Sequence, residues 1–124
     1  MNENSIKNFY DLGAWKKGHQ LIIKIYQITE RFPKEEVFGI TSQLRRASSS
    51  VTANMAEGFA RYHYNDKIRF YYQARGSVAE VQNFLLLARD LKLIDKESCQ
   101  QLGETSKDVE KLINGLIRSI EKQK

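Results

Sequence analysis

Apolar residues in this chain recur at steps of three and four rather than in strict alternation, a period that predicts helices and no strands. The first stripe comprises Ala14, Trp15, Gly18, Leu21, Ile22, Ile25, Ile28, Thr29 and Phe32. Asp11 is placed to cap it, with Tyr10 and Trp15 at the spacing of a hydrophobic staple. Pro33 disfavours helical geometry at Phe32 and ends the run. After the connector KEEVFGI, a second helix begins at Thr41 or Ser42 and carries Leu44, Ala47, Ser48, Val51, Met55, Gly58, Phe59 and Tyr62 on its core side. A polar turn at His63 to Asn65 follows, with Asn65 or Asp66 as the cap of a third helix. Its stripe is Phe70, Ala74, Ser77, Val78, Val81, Leu85 and Ala88. Asp95 caps a fourth, where Leu102, Ser106, Val109, Ile113, Leu116 and Ile120 alternate three and four, the seam of a left-handed helix pair.

The expected helices span about residues 11–32, 41–62, 65–91 and 95–121. Short connectors make sequence neighbours antiparallel. The economical all-α solution is an antiparallel up-down-up-down four-helix bundle, one domain over residues 1–124.

Filling that core leaves surfaces that a solvated helix does not need. On the first helix His19, Ile23 and Tyr26 line up outside the main stripe, either as isolated surface hydrophobes or as a contact with another subunit. On the second, Arg46, Ser50, Asn54, Glu57 and Arg61 form one flank, while Ser49, Ala53, Ala56 and Ala60 keep the back small. An Ala-rich back is either a bland helix-forming surface or one that admits a neighbouring helix closely. On the third, Gly76 sits mid-helix beside Arg75, Ser77 and Glu80, at a cost of about 1 kcal/mol relative to Ala. A kink and a close helix approach each account for it.

Composition narrows the rest. Net charge is +5, which permits an anionic partner without requiring one. Cys99 is the single cysteine, so no intrachain disulfide can form, and a reducing cytoplasm fits. No apolar run approaches the roughly 20 residues of a membrane span, and the start MNENSIKNFY lacks a signal-type apolar segment. Two histidines and one cysteine offer no metal-ligand spacing, Gly39, Gly58, Gly76 and Gly103 stand singly rather than in a phosphate loop, and Ser48 to Ser50 have no base beside them. Glu57 and Glu80 could pair as carboxylates, but Arg46, Arg61 and Arg75 beside them point to ion pairs. The expectation is a protein without catalytic residues, cofactor or metal.

For nucleic acid the material is basic residues interleaved with Tyr62, Tyr64, Tyr71 and Tyr72. Arg45, Lys67, Arg69 and Arg75 are the first candidates for phosphate contact. From Thr41 to Glu80 six basic residues face three acidic ones. The opposing reading is that the arginines pair with acids and the tyrosines pack.

Several blocks carry a resemblance. Trp15 with LIIKIYQIT, FPKEEVFGITSQLRRA, ANMAEGFAR and ARGSVAE are together similar to the bacterial four-helix-bundle family labelled as protein encoded in the intervening sequence of large (23S) ribosomal RNA. The likeness runs from about Phe9 to Ile120. It implies an antiparallel bundle that assembles as a ring-shaped homopentamer, cytoplasmic, with no established enzymatic activity. A related group, the accessory proteins of diversity-generating retroelements, implies work with a reverse transcriptase and its RNA. Carried across, Arg46, Asn54, Glu57, Gly58, Arg61, Gly76, Ser77 and Glu80 match motif positions. With Ile23 and Tyr26 they are the expected subunit contacts or ring lining. The functional expectation is a self-assembling bundle with a basic surface for RNA, DNA or a nucleoprotein. The alternative is a protein-interaction scaffold, for example for a reverse transcriptase.

Overall fold

The computed structural model describes residues 6–123. Four helices fill most of that length: α1 (Gly13–Thr29), α2 (Ile40–Ala60), α3 (Tyr64–Asp90) and α4 (Lys96–Gln123). Short 3-10 turns at Phe9–Asp11 and Lys34–Glu36 precede α1 and α2, and no strand occurs among the described residues. No described helix is long and apolar enough to cross a membrane.

Helix ends follow local chemistry, with several departures from expectation. Asp11 accepts the backbone N–H groups of Lys7 and Asn8 at 3.2 and 3.0 Å, so it closes the 3-10 turn and leaves Leu12 as the α1 N-cap. Trp15 meets Phe9 edge-on at 5.6 Å and stacks on His19 at 4.7 Å. Helix α1 ends at Thr29, and the Arg31 and Phe32 N–H groups then bond three residues back, a tightening that Pro33 imposes. Neither Asn65 nor Asp66 caps α3, because the helix already begins at Tyr64. Asp95 does cap α4: the Ser98 N–H donates to Oδ1 at 2.6 Å and the Ser98 hydroxyl to Oδ2 at 3.2 Å. These bonds hold the Asp95 carboxyl below its usual range. Helix α3 closes on Lys92 in the left-handed region (φ 62°), with Leu93 N–H bonded to the Ala88 carbonyl and Lys92 N–H to that of Arg89, the Schellman arrangement.

Each helix packs on two others: α1 on α2, α2 on α3, α3 on α4 and α4 on α1, with no close backbone approach across either diagonal. The α2–α3 pair is the most extensive. Between the four lie Leu21, Ile25, Leu44, Met55, Val78, Leu85 and Ile113, each at most 2% exposed. Burying one such side chain is worth about 1.5–3 kcal/mol.

The core corrects the sequence pattern at three places. Tyr62 is 88% exposed, because α2 ends at Ala60 and the extended backbone of Arg61 carries the chain off that face. On α3, Tyr71 and Ile68 are buried in place of Phe70, which is only half-buried. On α4, Ile117 is buried and Leu116 half-buried.

Gly58 explains the second correction. A Cβ there would sit 2.7 Å from the Tyr71 ring, so the glycine gives Tyr71 its place between α2 and α3. Burial pushes the Tyr71 phenol up to about 12. Gly76 is the opposite case, since a Cβ there would meet nothing within 4 Å and α3 runs unbroken through it. Neither a kink nor an intrachain approach accounts for it.

Gly58→Ala should therefore destabilise by about 1–3 kcal/mol in urea unfolding, while Gly76→Ala should stabilise by up to about 1 kcal/mol. Equal effects from the two would remove the packing role assigned to Gly58. Because Asp95 titrates lower when folded, its charged cap stabilises above the ordinary carboxylate range and is lost as pH falls through the lowered value. The stability gap between the parent and Asp95→Asn should be full near neutrality and close in acid.

Candidate functional site

Two of the four phosphate-contact candidates are tied down inside the chain. Arg45 donates from Nε to Thr29 Oγ1 at 2.9 Å, and its guanidinium lies 4.6 Å over the Tyr26 ring. Thr29 passes that bond on to the Ile25 carbonyl at 2.7 Å. Lys67 donates to the Phe59 carbonyl at 2.8 Å and reaches that of Gly58 at 3.4 Å, satisfying the open C-terminal carbonyls of α2. Its partial burial lowers its pKa. Both residues join helices.

The other two keep more freedom. Arg69 lies 5.0 Å from the Phe70 ring and only 4.0 Å from Asp66, with its side chain 60% exposed. Arg75 donates to Asn114 Oδ1 on α4 at 3.1 Å and covers Tyr72 at 5.0 Å. Asn114 is neutral, so that bond itself brings Arg75 no opposing charge. The Tyr72 hydroxyl donates to Glu121 at 3.1 Å, which raises its pKa.

The expected interface residues of α2 and α3 have partners within the chain. Arg46 pairs with Glu80 at 3.8 Å and also bonds Gln43. Glu57 pairs with Arg61 at 3.2 Å, and Arg61 stacks over Phe70 at 4.7 Å. These pairs take up both glutamates separately, as ion pairs rather than as a carboxylate dyad. Asn54 donates to the Ser50 carbonyl and hydroxyl, and Ser50 bonds Ser77 at 2.9 Å. Gly58 is filled by Tyr71 of its own chain and offers no surface to a neighbour. Gly76 stands exposed, as do Ile23 (47%) and Tyr26 (41%).

The packing order sets two faces apart. Since the helices neighbour one another in the order α1, α2, α3, α4 and back to α1, the α1–α2 and α3–α4 sides are opposite. The α1–α2 side presents His19, Ile23, Tyr26, Ala53 and Ala60, with Arg45 stacked down on Tyr26. The α3–α4 side carries charges of both signs. Lys107, Lys111 and Arg118 step along exposed α4 on either side of Asn114, where Arg75 arrives from α3. None of these four makes an ion pair among the described residues. Further along lies a groove of about 910 Å³, lined by Leu85, Leu86, Cys99 and Gly103 together with Arg89, Lys96 and Lys107. Asp90 there is engaged by Arg89 at 3.0 Å.

Sequence reasoning missed the α4 cations. The signal was present, because the strict seam of α4 fixes its opposite stripe, but that stripe reads as an ordinary solvated face until α3 is laid beside it.

Cys99 is buried with a thiol pushed up by desolvation, His19 lies on Trp15, and His63 packs edge-on against Tyr62. No three His, Cys, Asp or Glu side chains converge as a metal set among the described residues.

With this geometry in place, comparison with known proteins identifies the chain. The model of the 23S rRNA-intervening sequence protein family matches residues 10–115. The chain belongs to that family. Among curated proteins none matches. A solved structure from Bacteroides thetaiotaomicron, a protein with unknown function from the S23 ribosomal protein family, superposes with a TM-score of 0.79 at 21% identity. The match covers 85% of this chain and 95% of that one, and at this identity it speaks for the fold. Family membership fixes no activity, so the two faces remain the functional information.

Lys67→Met should cost about 1–2 kcal/mol in chemical denaturation through the α2 carbonyls it leaves unpaired. A variant as stable as the parent would return Lys67 to the surface charges.

Proposed function

We propose that this 23S rRNA-intervening sequence protein is a non-enzymatic, self-assembling helical bundle that binds nucleic acid or a nucleoprotein through a basic surface. The observation that carries the reading is the set of basic side chains left without an ion pair among the described residues. The α1–α2 side offers Ile23, Tyr26 and a small-residue stripe with Arg45 stacked down on Tyr26, and exposed cations without an ion pair among the described residues stand on both sides, Lys16 and Lys24 on α1 and Arg75, Lys107, Lys111 and Arg118 on α3 and α4. An apolar, close-approach face suits contact with another copy. Unpaired Lys and Arg suit a polyanion.

An antiparallel up-down-up-down arrangement belongs to this reading. The contacts of Arg46 with Glu80, Ser50 with Ser77 and Gly58 with Tyr71 run in opposite numerical directions along α2 and α3 and support it. So do Lys17 with Asp108 and Gly13 with Leu112 between α1 and α4. Copies joined through α1 and α2 would build a ring-shaped homo-oligomer, a pentamer by family likeness, with the α3–α4 sides outward. A cytoplasmic setting, where RNA and DNA are at hand, completes the proposal.

Ile23→Glu with Ala53→Glu should convert the assembly to single chains by size-exclusion chromatography with light scattering, at unchanged helix content. A parent chain that is single at every concentration would end the self-assembly half. Affinity for RNA and DNA should fall steeply and linearly on a log–log plot against salt. Absence of binding at low salt would turn the basic residues over to a protein partner such as a reverse transcriptase.

A further inference from the structure

We propose that the end of the bundle carrying the α1–α2 connector is a two-fold docking surface for a second copy of this chain, Phe38 of each copy entering a groove beside Val37 of the other. The contact is distinct from the side-by-side one proposed above, and it rests on that reading for the ring and for the antiparallel order of the helices. Phe38 is 95% exposed, the most open large hydrophobic residue among those described, and Val37 is 48% exposed. In the antiparallel order Leu91, 53% exposed just past α3, comes to the same end. The connector is held by its own bonds. Val37 N–H donates to the Lys34 carbonyl at 3.1 Å and Gly39 N–H to that of Glu36 at 3.0 Å. Phe38 thus stands on a turn that is already ordered, which lowers the entropic cost of using it as an anchor.

The groove that would receive it lies on the same surface. It holds about 340 Å³, enough for a phenyl ring, and Phe32, Pro33 and Val37 give it an apolar wall. Its own Phe38 points elsewhere, into the open. A knob and a hole side by side on one surface, each unfilled within the chain, meet the condition for an isologous contact, in which each copy supplies what the other lacks. Charge favours a copy over a strongly anionic or cationic partner. Arg31, Lys34, Glu30, Glu35 and Glu36 crowd this end, and none of them makes an ion pair among the described residues. A two-fold contact sets the bases of one copy against the acids of the other, and the reverse.

The area sets the strength. A buried aromatic side chain covers about 150–250 Å², so two rings with their rims fall short of the roughly 1,200 Å² at which stable interfaces begin. Single chains joined this way separate on dilution, whereas the copies of a ring act together and hold a second ring end to end.

The test is the particle mass of the full chain by light scattering and sedimentation velocity. Phe38→Ser should halve the mass of the parent assembly with helix content and urea midpoint unchanged, since the side chain touches little of its own chain. Glu35→Lys with Glu36→Lys should halve it too, and adding Arg31→Glu with Lys34→Glu should restore it, because a two-fold contact needs only opposite signs. Ile23→Glu with Ala53→Glu, single at chromatographic dilution, should form two-chain particles at the highest soluble concentration, and Phe38→Ser should remove them. A parent mass unmoved by Phe38→Ser would overturn the end contact while leaving the ring intact. Failure of the fourfold charge swap to restore the mass would overturn its two-fold geometry. A parent single at every concentration would overturn self-assembly and the end contact together.

Discussion

Helices α2 and α3 lie as close as they do because Gly58 has no side chain where the Tyr71 ring must go. That approach makes the α2–α3 pair the most extensive in the molecule and turns α3 so that Tyr71, not Phe70, enters the core. Phe70 is thereby left at the rim as a platform for Arg61 and Arg69. The same junction is closed by Lys67, whose ammonium binds the last carbonyls of α2 from the first turns of α3. One missing Cβ and one half-buried lysine tail thus fix where two helices meet and what their edges can offer.

Packing also decides which charges are available. A net charge of +5 says little until partners are subtracted. Arg45 and Lys67 are consumed as helix connectors, and Arg46 and Arg61 are held by Glu80 and Glu57. These exposed pairs add little stability individually. Their effect is to quiet the α2–α3 edge, so that the cations without an ion pair among the described residues, such as Lys16, Lys24, Arg75, Lys107 and Lys111, lie elsewhere.

Helix number, order and most of the core were legible in the sequence because period and connector length alone specify them. Asp95 was legible for the same reason, a capping residue in front of a strong seam. Tyr62 was misplaced because the stripe of α2 continues past the point where the backbone turns away at Arg61, and periodicity cannot see a backbone leave its axis. Phe70 was preferred to Tyr71 because apolarity outranks tyrosine by pattern, whereas the space left by Gly58 is a property of two helices together. Gly58 and Gly76 looked alike in sequence; one is filled by its own chain and the other stands open. The cations of α4 were invisible as a group, since a shared face exists only after α3 is docked.

Lysines that make no bond among the described residues keep their rotamer freedom until something orders them, at up to about 2 kcal/mol each. Arg75, already fastened to Asn114, gives up less. A row with one fixed arginine and several loose ammonium groups is forgiving of where successive phosphates fall. It carries no donor–acceptor pattern aimed at base edges. A nucleic acid laid on such side chains would be registered by its length rather than by its sequence.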